Sequence, residues 1–245
     1  MAGSTLVLIP GLGADAAIYE PQRRALGARL VVPPWPEPDY GRDTLETYAR
    51  RIADAVRARP DVSRPFCIGG LSLGGILAAE IAECCADDVA GVFLIGACLD
   101  RSEIPAVFHL LARAGQWAPT GLMLAAANRL APAFISWWQG LDAEMADLYA
   151  SVYSRGNKRL LRWAALAMSQ WQSKACPRAP VYRAHGRRDQ IIPIPEHRFR
   201  AELDLVVPDG NHLINMTHAT PVNRWLLARM DASTPRRPPG GRHST

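Results

Sequence analysis

Short runs of consecutive hydrophobic residues alternate along the chain with longer segments whose hydrophobic positions recur every three or four residues. Most of the short runs contain no alternating polar position, which is typical of strands buried on both faces of a parallel sheet. Strands are predicted at residues 5–9, 29–32, 66–70, 89–97, 179–185 and 203–207.

Three of the intervening segments show the pattern of helices. Asp43 and Glu46 form a capping-box pattern at the start of the first. Residues 73–85 are hydrophobic on nearly all sides, as in a helix covered by other layers. Thr220 and Pro221 predict the N-terminal cap and first turn of the last. The first and last helices are expected to bury Leu45, Tyr48, Ile52, Val56, Val222, Trp225, Leu226 and Met230.

Residues 100–174 interrupt this alternation, because they contain no strand pattern. Helix starts are predicted at Thr120, Asp142 and Asn157. Five tryptophans lie here: Trp117, Trp137, Trp138, Trp163 and Trp171. The whole pattern predicts an α/β fold, with a mostly parallel sheet of about six strands and helices on both faces. The predicted divisions are a core of residues 1–99 and 175–231, an insertion at 100–174, and a disordered tail at 232–245.

Composition and charge narrow the class of protein. Of the 245 residues, 49% are hydrophobic and 21% are charged, as in a globular protein. The net charge of +5 includes three arginines in the tail. The rest of the chain has no basic cluster with interleaved aromatic residues, so we expect no nucleic-acid partner.

The cysteines and the hydrophobic runs predict a cytoplasmic protein. The five cysteines are an odd number without metal-binding spacing, and free thiols in a reducing compartment are expected. The N-terminus lacks the features of a signal peptide, and no hydrophobic run is long enough to span a membrane.

The sequence "GLSLG", residues 70–74, matches the pattern G-x-S-x-G between a predicted strand and a predicted helix. This context is required for a sharp turn that exposes a nucleophilic serine at the carboxyl edge of the sheet. The glycines two residues either side of Ser72 make room for the turn. The helix N-terminus would favour negative charge developing at the serine oxygen.

Two other interpretations of the glycine-rich loops, as a phosphate-binding site and as a dinucleotide-binding site, are weaker. The loop around Ser72 lacks the G-K-[ST] ending of a phosphate-binding loop. Residues 11–16 match the dinucleotide-binding pattern G-x-G-x-x-A, but the second strand ends in "VVPPWPEP" without an acid at its tip to bind a ribose.

A nucleophilic serine needs a histidine base and an acid to orient it. In an architecture of this kind, the expected chain order is serine, acid, histidine. His212 follows the sixth strand in "PDGNHL", and Asp189 follows the fifth in "AHGRRDQIIP". Asp100 and Asp209 remain alternative acids, and Asp189 could instead pair with its neighbouring arginines. The amides of Leu73 and of Leu12 are the candidate oxyanion donors.

The stretches "LVLIPGLGAD", "IGGLSLGGILAAEIA", "AHGRRDQIIP" and "DGNHL" resemble the α/β-hydrolase superfamily. The resemblance implies a catalytic triad of Ser72, Asp189 and His212, and a helical cap formed by residues 100–174. The chain departs from the family pattern in three places. It lacks the opening antiparallel strands, it has Pro-Gly-Leu-Gly where many relatives have His-Gly, and its "PPWPEP" segment has no assigned role.

A serine at the nucleophile position argues against epoxide hydrolases and dehalogenases, which need a carboxylate there. We therefore predict a serine hydrolase that cleaves a carboxylester, thioester or lactone of a small apolar substrate and needs no metal or organic cofactor. Trp137 and Trp138 are candidate substrate-binding residues. A lyase or cyclase on the same fold, and a catalytically silent ligand-binding protein, remain alternatives. The oligomeric state is left open.

Overall fold

The computed structural model describes residues 4–34, 36–106, 109–110, 133, 136–137, 141–144, 146–147, 150–151, 158–172, 176–194 and 203–233. Within these residues, six parallel strands form one sheet in the order β2-β1-β3-β4-β5-β6. They are β1 Leu6–Ile9, β2 Leu30–Val31, β3 Phe66–Leu71, β4 Val89–Ile95, β5 Val181–Gly186 and β6 Leu205–Val207. The predicted fold class is confirmed, and each strand lies within two residues of its predicted bounds.

Helices cover both faces of the sheet. Among the described residues, the α-helices whose bounds are known are α1 Glu20–Leu26, α2 Leu45–Arg57, α3 Leu73–Cys84, α4 Lys158–Gln170, α5 Ile214–Thr217 and α6 Ala219–Ser233. Short 3₁₀ helices occupy Ala16–Tyr19, Gly27–Arg29, Ala86–Asp88 and Arg101–Glu103. Among the described residues, every helix is too short or too polar to traverse a lipid bilayer.

The hydrophobic core consists of two clusters, one on each face of the sheet. One cluster packs α2, α3 and α4 against the sheet, and the other packs α1, α5 and α6. Successive residues of β1 contribute to opposite clusters, because side chains alternate along a strand. Both faces are therefore apolar, which explains the continuous hydrophobic runs in the sequence.

Two predicted helix starts are corrected, the first by one residue and the last by two. Thr44, and not Asp43, caps α2, and its reciprocal partner is the side chain of Thr47. Asp43 instead forms an ion pair with Arg51, which engages a carboxylate that would otherwise compete for the cap. The last helix begins at Ala219, before Thr220, because the carbonyl of His218 already accepts a hydrogen bond from Val222.

Helix α4, near the end of the predicted insertion, is fixed to the core by two tryptophans. The indole of Trp163 donates to the carbonyl of Asp43 at 3.1 Å, and its ring meets that of Tyr48 edge to face. The indole of Trp171 donates to Glu80 at 2.8 Å, where burial raises the pKa of the carboxyl. Both tryptophans are buried, as expected for core packing. The predicted starts at Thr120 and Asn157 lie outside the described residues, as does nearly all of the tail.

A buried ion pair fixes the beginning of the same insertion. The guanidinium of Arg183, on β5, donates to the carboxylate of Glu103 at 2.5 Å and to the carbonyl of Ala97 at 3.3 Å. The other oxygen of Glu103 accepts from the amides of Leu99 and Asp100. This carboxylate therefore ties the chain leaving β4 to the neighbouring strand.

Candidate active site

Ser72 occupies a sharp turn between β3 and α3. Its φ of 54° makes it the one non-glycine residue with positive φ in the described part of the chain. Such a conformation is strained, and it persists only where the surroundings enforce it. Here the amide of Ser72 donates to the carbonyl of Ile95 at 3.0 Å, which fixes the turn to the end of β4. The serine side chain is half-buried at the N-terminus of α3.

The two glycines of the motif let the turn approach β1. A Cβ on Gly74 would lie 1.9 Å from the carbonyl oxygen of Ile9, and a Cβ on Gly70 would lie 2.4 Å from the backbone of Gly74. Neither distance is possible for a real side chain. The turn therefore needs glycine at both positions because the backbones are in direct contact.

Asp189 and His212 meet at the same edge of the sheet. The Oδ2 atom of Asp189 lies 2.8 Å from Nδ1 of His212, and both side chains are buried. The Oδ1 atom accepts hydrogen bonds from the amides of Ile191 and Ile192 at 2.9 and 3.0 Å. Burial alone would raise the pKa of Asp189, but His212, with smaller contributions from His185 and the Ile192 amide, holds that pKa below its usual range.

Backbone packing sets the position of His212. The amide of Arg188 donates to the carbonyl of Gly210 at 2.9 Å, so the loop after β5 holds the loop that carries the histidine. Gly96, with φ of 49°, follows β4, and a Cβ there would lie 3.3 Å from both His212 Nδ1 and Asp189 Oδ2. The amide of Ser72 is hydrogen-bonded to the carbonyl of Ile95, the residue before Gly96. The serine and the Asp–His pair are therefore brought to the same edge by neighbouring strands.

The serine hydroxyl and the imidazole are not directly hydrogen-bonded in the part of the chain that the structure describes. Within the described residues, no hydrogen bond joins Ser72 Oγ to His212. Catalytic hydrogen bonds of this kind are often long without a bound substrate and shorten in the reactive complex.

The two alternative acids are engaged elsewhere. Asp209 forms a surface ion pair with His218 at 3.3 Å and is 68% exposed. The carboxylate of Asp100 accepts from the amide of Ser102 at 2.7 Å and caps the 3₁₀ helix Arg101–Glu103. Of the three candidates, Asp189 is the one whose carboxylate contacts the imidazole of His212.

The two candidate oxyanion donors lie on segments that touch each other. Leu73 is the first residue of α3, and Leu12 lies in the loop after β1. A Cβ on Gly11 would lie 3.3 Å from the carbonyl oxygen of Leu71, so the loop packs on the turn. Within the described chain, neither the amide of Leu12 nor that of Leu73 donates to a protein acceptor.

His185, next to the acid, received no site role from the sequence. It is fully buried; its Nε2–H donates to the carbonyl of Ile192 at 3.0 Å, and Nε2 lies 3.9 Å from Asp189 Oδ2. Burial lowers the pKa of His185 to about 4, so the ring is neutral. The sequence signal was its place at the end of a strand, two residues after Arg183 on the same face.

The predicted substrate-binding tryptophans are not assigned a role by the structure. Trp137 is 77% exposed, and Trp138 lies outside the described residues. Among the described side chains, no group of three or more His, Cys, Asp or Glu residues is placed to hold a metal ion.

Comparisons with known proteins agree with this fold. Three similar solved structures are an esterase from Thermogutta terrifontis (19% identity, 96% of this chain and 92% of that one, TM-score 0.73), an enol-lactonase from Burkholderia xenovorans (17%, 93% and 91%, 0.66) and a meta-cleavage product hydrolase from Pseudomonas fluorescens (19%, 95% and 92%, 0.67). No curated protein sequence matches the chain significantly. The model of the alpha/beta hydrolase family matches residues 6–225. The chain therefore belongs to the alpha/beta hydrolase family.

Proposed function

We propose that the protein is a serine hydrolase that cleaves an ester-type bond through an acyl-enzyme on Ser72. The observation that carries the proposal is the buried 2.8 Å contact between Asp189 and His212, at the sheet edge where Ser72 sits at positive φ. A buried acid and imidazole beside a strained, half-exposed serine is an arrangement suited to nucleophilic catalysis.

Acylation would begin at the hydroxyl of Ser72. Because Nδ1–H of His212 donates to the carboxylate of Asp189, the lone pair of Nε2 is left to accept the serine proton. The serine oxygen attacks the substrate carbonyl, and the amides of Leu12 and Leu73 donate to the resulting oxyanion. His212 then gives its proton to the leaving alcohol or thiol as the carbon–oxygen or carbon–sulfur bond breaks.

Deacylation would repeat these steps with water. Nε2 of His212 takes a proton from water, and the hydroxide attacks the acyl carbonyl. Collapse of the second tetrahedral intermediate returns the proton to Ser72 and releases the acid. Throughout, the charge of Asp189 stabilises the imidazolium that forms at His212.

The substrate class is proposed as a small, apolar carboxylester, thioester or lactone. Two of the similar structures are named as an esterase and an enol-lactonase, and both names refer to bonds of this kind. The tryptophans of residues 100–174 other than Trp163 and Trp171, which pack in the core, support the proposal of an apolar substrate.

The test is covalent labelling of Ser72 with a fluorophosphonate, combined with turnover of short p-nitrophenyl esters, thioesters and lactones. We expect one label per chain, lost in Ser72→Ala, and a kcat at least about 10⁴-fold lower in that variant. Ser63→Ala is the matched control, because its hydroxyl contacts Thr5 at the opposite end of the sheet. It should retain both the label and the activity.

Three outcomes would count against this function. Normal turnover in Ser72→Ala would rule out the acyl-enzyme. Turnover of a substrate without water consumption would favour a lyase or cyclase. Ligand binding that survives both Ser72→Ala and His212→Ala, without turnover of any ester, would favour a binding protein.

A further inference from the structure

The side chain of Tyr19 links two strand ends beneath the candidate active site. Its hydroxyl is fully buried, donates to the carbonyl of Ile9 at 2.7 Å and accepts from the amide of Leu71 at 2.7 Å. Ile9 is the last residue of β1, and Leu71 is the last residue of β3. One hydroxyl thus joins two adjacent strands where both end.

The direction of these hydrogen bonds is fixed by chemistry. A carbonyl can only accept and an amide can only donate, so the hydroxyl must do one of each. Burial raises the pKa of Tyr19, so its proton is retained. The register of β1 and β3 pairs Ile9 with Gly70, and Leu71 lies one residue beyond this ladder. The hydroxyl therefore satisfies two buried backbone groups where the regular pairing stops.

Each of the two strand ends leads directly into one half of the candidate oxyanion site. Ile9 is followed after two residues by Leu12, and Leu71 is followed after one residue by Leu73. Resting on the proposed function, we propose that Tyr19 is a positioning residue that sets the separation between the amides of Leu12 and Leu73. A displacement of about 1 Å in such a site can cost about 100-fold in rate.

The element that carries Tyr19 is itself anchored to the loop of the base. The side-chain amide of Asn215 donates to the carbonyl of Ile18 at 2.8 Å, and Asn215 lies three residues after His212. The side chain of Asp15 caps the same 3₁₀ helix by accepting from Ala17 at 2.9 Å. The helix Ala16–Tyr19 therefore bonds to the ends of β1 and β3 and to the segment after His212.

The chain contains a matched control for Tyr19. Tyr48 is also fully buried, and its hydroxyl donates to the carbonyl of Pro36 at 2.7 Å. Pro36 precedes α2 and belongs to neither β1 nor β3. Removing either hydroxyl leaves a backbone carbonyl without that donor, but only the hydroxyl of Tyr19 bridges the two oxyanion segments.

The first test compares Tyr19→Phe with Tyr48→Phe on the best ester substrate. For Tyr19→Phe we expect kcat to fall about 10- to 100-fold with KM changed less than about threefold, because the lost contact acts on the transition state. A boronic acid inhibitor should lose affinity by the same factor as kcat/KM. Tyr48→Phe should change each value less than about threefold. An unchanged kcat in Tyr19→Phe, or an equal loss in Tyr48→Phe, would overturn the proposal.

The second test does not depend on catalysis, so it separates this proposal from the proposed function. Hydrogen exchange of the Leu71 amide should be at least about tenfold faster in Tyr19→Phe and unchanged in Tyr48→Phe, relative to the amide of Phe93 in β4. If Ser72 takes no label in the unmodified protein, the acyl-enzyme fails, and the exchange rate still decides whether Tyr19 holds the strand ends. Unchanged exchange at Leu71 would overturn the role of Tyr19.

If Tyr19→Phe does not fold, 3-fluorotyrosine incorporated at residue 19 replaces it, because this side chain keeps the hydroxyl but makes it a weaker acceptor. We then expect a shift of the Leu71 amide proton resonance and a kcat loss of about two- to fivefold. The same substitution at residue 48 should change neither. No shift and no loss at residue 19 would overturn the proposal.

Discussion

Asp189 keeps a charged carboxylate in a place from which water is excluded. It does so because three N–H groups point at it: two backbone amides and the imidazole of His212. A carboxylate with this many donors stays ionised despite burial, consistent with its lowered pKa. The same bonds fix the plane of the carboxylate, and through it the orientation of the imidazole.

Replacing this carboxylate by an amide tests its role directly. We expect Asp189→Asn to lower kcat by about 10³- to 10⁴-fold, because the amide can present an N–H to Nδ1 and so favour the wrong tautomer of His212. The measurement is ester hydrolysis near pH 8. The control is Asp209→Asn, which alters the nearby exposed acid. Its kcat should stay within about threefold of the kcat of the unmodified protein. The reverse result would assign the role to Asp209.

Gly74 offers a prediction about packing at a single residue. Gly74→Ala would place a methyl group 1.9 Å from the carbonyl oxygen of Ile9. Backbone atoms on both sides would have to move, and we expect the free energy of unfolding to fall by about 3 kcal/mol or more, with loss of activity. Gly41→Ala, whose nearest contact would be 3.7 Å away, is the control. Urea denaturation with equal midpoints for the two variants would contradict the packing argument.

At the scale of elements, local pattern determined what the sequence could predict. Largely hydrophobic runs identified the six strands, and the central strands β1, β3 and β4 are covered on both faces. The turn at Ser72 was recognisable because the serine and its two glycines form a short local motif between a predicted strand and a predicted helix. The role of Tyr19 could not be recognised from the sequence, because its partner Leu71 is 52 residues away and the contact leaves no periodic signal. The same holds for the pair of Arg183 and Glu103, which are 80 residues apart.

The start of α2 shows how a tertiary contact decides between two acceptable local choices. Asp43 and Thr44 are both good capping residues. Because Asp43 forms an ion pair with Arg51, Thr44 caps the helix instead. The sequence alone does not encode which residue the arginine will reach, so the helix boundary was predicted only to within one residue.

The ion pair between β5 and the chain after β4 should be expensive to break. Glu103→Ala removes the carboxylate from a guanidinium that is 1% exposed, and we expect a loss of about 3 to 5 kcal/mol in the free energy of unfolding. Asp61→Ala removes the partner of Arg59 from a surface pair and should leave stability essentially unchanged. Urea titrations of both variants provide the measurement. Equal small losses would mean that the buried pair contributes no more than a surface one.

The molecule as a whole should be sensitive to acid through the histidine beneath its site. The pKa of His185 is about 4 in the folded protein, below its ordinary value of about 6.5. The unfolded chain therefore binds this proton first as the pH falls. The contribution of His185 to the free energy of unfolding is fully present above about pH 6.5 and is lost as the pH falls toward 4. The lowered pKa of Asp189 continues the decline at still lower pH, since its protonation is easier in the unfolded chain.

Chemical denaturation at several pH values tests this linkage. We expect the contribution of His185 to reach roughly 3 kcal/mol between pH 6.5 and 4. His185→Gln keeps a donor for the carbonyl of Ile192 but does not titrate, so its stability should fall less steeply. The prediction would be contradicted if the free energy of unfolding fell equally with pH in His185→Gln and in the unmodified protein.

The contacts at the two ends of residues 100–174 define splice points for chimeric enzymes. A graft cut at 100 and 174 would discard Glu103, Trp163 and Trp171, all of which bond to the sheet or to the helices that cover it. A cassette of residues 105–157 leaves those bonds inside the recipient. Segments from other members of the family can therefore be exchanged at these inner boundaries while the bonds of Glu103, Trp163 and Trp171 stay in the recipient.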